Sequence, residues 1–62
     1  MDYLTEVLFH EAKKESKNLK FARRTYGEYD INTIRAYSRY TALLRVIIDA
    51  GYEHDYDNYE RA

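Results

Sequence analysis

Apolar residues recur at helical spacing on both sides of Gly27. Before it, Leu4, Leu8, Ala12, Leu19, Ala22 and Tyr26 fall on one stripe when each residue advances about 100°. After it, Ile34, Tyr37, Thr41, Leu44 and Ile48 make a second stripe. The pattern predicts a first helix over about 2–26, a turn at 27–30, a second helix over about 31–50 and an acidic, Tyr-rich tail at 51–62, all in a single helical domain, 1–62. Terminal signals agree. Asp2 is an acceptable N-cap, Glu6 lies in the first turn, and Arg23 and Arg24 occupy the last turn, each of the sign that suits the helix dipole. Gly27 and Gly51 are the only glycines, proline is absent, and both glycines stand where a helix has to stop. Asp30 or Asn32 caps the second helix. The β-branched run Val46-Ile47-Ile48 argues for a strand, but the helical spacing begins well before it and a lone strand has no partner.

The second helix carries a further apolar strip, Ala36, Tyr40, Leu43 and Ile47, about 100° around from the first. One neighbouring helix covers one strip. Leaving Tyr40, Leu43 and Ile47 wet forgoes about 5 kcal/mol, comparable to the whole stability of a small domain. The expected fold class is therefore all-α, an antiparallel helical hairpin that pairs through these four residues into a dimeric helical bundle, or is covered by a short third C-terminal helix. Tyr52, Tyr56 and Tyr59 share one helical face in the tail, and Asp55 is placed to cap such a helix from Tyr56 onward. A frayed acidic end is the alternative.

Composition narrows the chemistry. With 62 residues and no cysteine, neither a disulfide framework nor a thiolate metal site is possible. No apolar run approaches the roughly 20 residues needed to span a bilayer, and acidic Asp2 and Glu6 replace the positive charge of a signal peptide. The expectation is a soluble cytoplasmic protein.

Net charge is −1, but it is unevenly distributed. Lys13, Lys14, Lys17, Lys20, Arg23 and Arg24 stand against Glu15 alone, whereas Asp49, Glu53, Asp55, Asp57 and Glu60 stand against Arg61. Lys13, Lys17, Lys20 and Arg24 share one face of the first helix, a candidate nucleic-acid contact or a solvated stripe. Arg35 and Arg39 add a smaller pair. Glu15 interrupts the apolar stripe between Ala12 and Leu19, either as an ion-pair partner for an arginine of a second chain or as a snorkelling surface carboxylate.

Catalytic signatures are weak. His10-Glu11 begins a zinc-protease pattern, but Lys14 stands where the second histidine belongs. His10 with Glu6, and His54 with Asp55 and Asp57, are too few ligands for a site. An active site shared between subunits would have to draw on Glu15, His10 or tyrosines. No glycine-rich loop is present, and the second helix is too apolar for a helix-turn-helix reader. The eight tyrosines weigh toward contact surfaces. Tyr52, Tyr56 and Tyr59, interleaved with acids, read as a docking surface for a basic protein or as rings packed onto the second helix. The chain is thus expected to be a non-enzymatic, homodimeric protein-binding module without cofactor, metal or small-molecule substrate. Inhibitors, adaptors or regulatory accessory factors of phage or mobile elements have this format, and nucleic-acid binding is the alternative.

Overall fold

Asp2 starts the first helix, α1 (Tyr3–Tyr26), by accepting the Thr5 N–H at 2.8 Å. This bond, with help from the Thr5 hydroxyl, holds the Asp2 carboxyl below its usual value. The computed structural model describes residues 2–62. α1 ends at Gly27, whose N–H bonds the Arg23 carbonyl at 3.2 Å. At φ 92° and ψ 164°, Gly27 lies in a region essentially reserved for glycine. Its carbonyl accepts the Thr33 hydroxyl at 2.6 Å, which ties the turn to the next helix.

α2 (Ile31–Asp49) is capped by Asp30, which accepts both the backbone N–H and the side-chain amide of Asn32. Gly51, at φ 83°, closes it. The Gly51 N–H reaches Ile48 O at 2.9 Å and the Tyr52 N–H reaches Ile47 O at 3.0 Å, a Schellman ending. The chain then enters α3 (Glu53–Arg61), which begins three residues before the expected Tyr56. Asp55 does not cap it. Asp55 and Glu53 lie in its first turn and Arg61 in its last, charges that suit the helix dipole at both ends.

α1 and α2 form an antiparallel hairpin, with Phe9 and Ala12 beside Ile47, and Leu19 and Ala22 beside Ala36. α3 folds back into the groove between them, its Tyr56 on Phe9 and its Glu60 at Ser16 and Tyr40. Inward positions follow alternating steps of three and four: Thr5, Phe9, Ala12, Ser16, Leu19 on α1, and Thr33, Ala36, Tyr40, Leu43, Ile47 on α2. This is the seam spacing of helices packed almost parallel or antiparallel.

The seam corrects the expected faces. On α1, Leu4 is 77% exposed, Tyr26 is exposed and Leu8 only half-buried, while Phe9 is completely buried. On α2 the strips exchange places. Ala36, Tyr40, Leu43 and Ile47 face inward, and Ile34, Tyr37 and Ile48 face outward. Thr5, Ser16 and Thr33 explain the shift, because they sit in the seam yet carry no apolar signal. No second chain is needed to shield Tyr40, Leu43 and Ile47, since α1 and α3 already do so.

Candidate functional site

Two features of this architecture bear on function: a polar latch that seats α3, and a helix face that nothing covers. The latch centres on Glu60. Ser16 Oγ donates to its Oε1 at 2.7 Å and the Tyr40 hydroxyl to its Oε2 at 3.4 Å. The Tyr56 hydroxyl lies buried nearby with no hydrogen-bond partner among the described residues. Burial, and secondly the Glu60 charge, push the Tyr40 and Tyr56 phenols above their ordinary value. Both therefore stay neutral at ordinary pH. Lys13 secures the far end of α3, donating to the carbonyls of Ala62 at 2.9 Å and Tyr59 at 3.5 Å, with its ammonium 5.4 Å from the Tyr59 ring centre.

The tail tyrosines thus serve the interior. Tyr56 is buried, Tyr59 is half-buried, and Tyr52 sits at the margin; all three rings meet Phe9 edge-on at centroid distances of 5.3, 5.5 and 6.2 Å, for Tyr56, Tyr59 and Tyr52 in that order. Of the proposed docking residues, Tyr56 has no surface to offer, and the rings pack chiefly on α1. The outward face of α3 carries Glu53, Asp55 and Asp57 instead.

Lys13 belongs to the latch, so the basic stripe has two parts. Lys17, Lys20 and Arg24 continue it along α1, exposed and in no ion pair among the described residues. Glu15, with its side chain 12% exposed, accepts Arg39 Nε at 3.0 Å. Of the two readings of Glu15, an ion pair with a second chain or a snorkelling surface carboxylate, the structure gives neither: its arginine comes from the same chain, and the pair bridges α1 and α2 on the side away from α3.

The uncovered face lies on α2. Ile34 is 48%, Tyr37 52% and Ile48 44% exposed, with Thr41 and Leu44 partly buried between them. Beside its first turn, Tyr29, Thr33, Ile34 and Tyr37 line an open cleft of about 350 Å³, bounded by Arg23 and Glu28, themselves paired at 3.3 Å. Other exposed apolar residues form smaller groups, Tyr3, Leu4 and Val7 at the start of α1 and Phe21 edge-on to Tyr26 at 6.4 Å near its end. The sequence pattern contained this stripe but assigned it to the interior.

Among the described residues, no helix is long and apolar enough to cross a membrane. Compared with known protein families, curated proteins and solved structures, the chain matches none significantly.

Proposed function

We propose that this chain is a small, non-enzymatic protein-binding module whose contact face is the outer stripe of α2. One observation carries the reading: Ile34, Tyr37 and Ile48 stand in line along a regular helix, about half exposed, beside an open cleft that ends at Tyr29. Completing the burial of three large side chains contributes about 2–4 kcal/mol, enough to favour a partner over solvent. Tyrosine at the centre of such a stripe adds area at low entropic cost. Action as an inhibitor, adaptor or regulatory factor then follows from occupancy alone. A homodimer, if formed, would use this stripe in place of Ala36, Tyr40, Leu43 and Ile47.

Site-specific photocrosslinking in the native host tests the reading. A photoreactive residue at position 34 or 37 should give a discrete protein adduct, and one at the polar, outward Arg45 should not. Equal labelling at all three positions would remove the proposal.

Nucleic-acid binding is favoured by one observation, the free cations Lys17, Lys20 and Arg24. Lys13 is already engaged by α3, so three phosphate contacts are available, giving a salt slope of about −3. A gel shift at low salt decides this reading, and absence of binding there ends it.

A further inference from the structure

We infer that the open half of the groove between α1 and α2, beyond the end of α3, receives an acidic amphipathic helix from another protein. This rests on the reading of the α2 stripe as a contact face and names what that face accepts.

The groove already holds one helix, and α3 shows what suits it. α3 turns Tyr56 and Tyr59 inward, carries four carboxylates, and is fastened by Lys13 on one wall and Tyr40 on the other. Its nine residues span about 13 Å, against about 36 Å for the 24 residues of α1. The end of α3 reaches the level of Ser16 and Tyr40, so the groove beyond it is walled by residues 17–26 of α1 and 31–39 of α2, a length of about 14 Å with room for roughly 10 helical residues.

Both walls continue past α3, and near the turn the Arg23–Glu28 pair bounds the cleft between them. On α1, Lys17, Lys20 and Arg24 follow Lys13 at steps of 4, 7 and 11 residues, which keeps them on the side that faces α3. On α2, Leu44 packs against the three-helix core, and Tyr37, seven residues earlier on the same face, stands exposed with Ile34 beyond it. A cationic wall opposite an apolar one selects an occupant with carboxylates along one flank and large apolar groups beside them. A phosphate backbone meets the cations but leaves the apolar wall wet, and a basic helix is repelled by Lys20 and Arg24.

The test uses the full chain and three fluorescent 15-residue helical peptides. One has Glu along one flank and Leu and Tyr along the next, the second replaces every Glu by Lys, and the third replaces the apolar residues by Ser. The acidic amphipathic peptide should bind, and at least about tenfold more tightly than either control. Affinity should fall with salt, and by about tenfold in Lys20→Glu/Arg24→Glu and in Tyr37→Ser, with circular dichroism confirming that both variants fold. The inference is overturned if the acidic peptide does not bind, if neither variant weakens it, or if the chain instead self-associates through Tyr37. Should the Lys peptide bind as well as the acidic one and depend equally on Tyr37, acidic selection is wrong while the contact face stands. The contact-face reading itself is overturned by uniform crosslinking at positions 34, 37 and 45, which these peptide measurements do not touch.

Discussion

The two halves of the hairpin solve the burial problem differently. Where three helices meet, large side chains are completely enclosed: Phe9, Ile47 and Tyr56, with Leu8, Leu43, Leu44 and Tyr59 around them. At the turn end only two helices meet, and the buried set is Leu19, Ala22 and Ala36, with Tyr40 at its edge. A helix pair encloses what lies directly between its axes, so small residues are covered while larger ones beside them, such as Ile34 and Tyr37, stay wet. The third helix converts one end of a surface groove into core, and the end it does not reach remains surface.

The largest effect that tests this contrast is Phe9→Ala, expected to cost about 3–5 kcal/mol in urea denaturation because the cavity opens inside a three-helix enclosure. Leu19→Ala, in the two-helix half, should cost about 2–3 kcal/mol, since its neighbours can relax toward solvent. Equal losses would erase the distinction.

Next comes the turn that sets the two-helix end. Gly27→Ala should destabilise by about 1–3 kcal/mol. An added Cβ meets no atom within 4 Å, so the cost is purely backbone strain, and a neutral result would mean that the turn adopts another conformation.

The phenols of the three-helix end make stability depend on alkaline pH. Unfolded tyrosines lose their protons near pH 10, whereas folded Tyr40 and Tyr56 hold theirs to higher pH, chiefly through burial. Their contribution is therefore complete below about pH 10 and declines as the pH rises beyond it. Tyr56→Phe should flatten the decline of the melting temperature above pH 10. At pH 7 it should change stability by no more than about 1 kcal/mol, because the hydroxyl it removes has no partner to lose. A large loss at pH 7 would place a bond at that hydroxyl.

The smallest expected effect belongs to the open half. Ile34→Ser and Tyr37→Ser should shift stability by only about 0.5–1 kcal/mol, as surface changes do. A loss above about 2 kcal/mol in thermal denaturation of dilute protein would mean that these residues are buried in solution, which would remove the contact face.

Much of the local structure was legible before any tertiary contact was known. Asp2, Gly27, Asp30 and Gly51 mark helix boundaries through backbone hydrogen bonds to near neighbours, and these act within a few residues. The α2 stripe was equally visible as a pattern. Its direction was not, because Ile34 and Ile48 are more apolar, and Tyr37 larger, than Thr33 and Ala36, which face inward. Hydropathy reports what a residue gains when covered, and it is silent on whether any element lies close enough to cover it. The latch residues Ser16, Tyr40 and Glu60 come from three helices, and no spacing along the chain relates them.

The chain alone therefore determined two rods and the points where they stop, since caps and glycine conformations are settled by neighbours in sequence, and it left the tail between a third helix and a frayed end. Only the tertiary structure decided which sides of those rods face one another and how far the third helix reaches. Those depend on the small residues that let helices meet, and on a nine-residue helix that stops short of the turn.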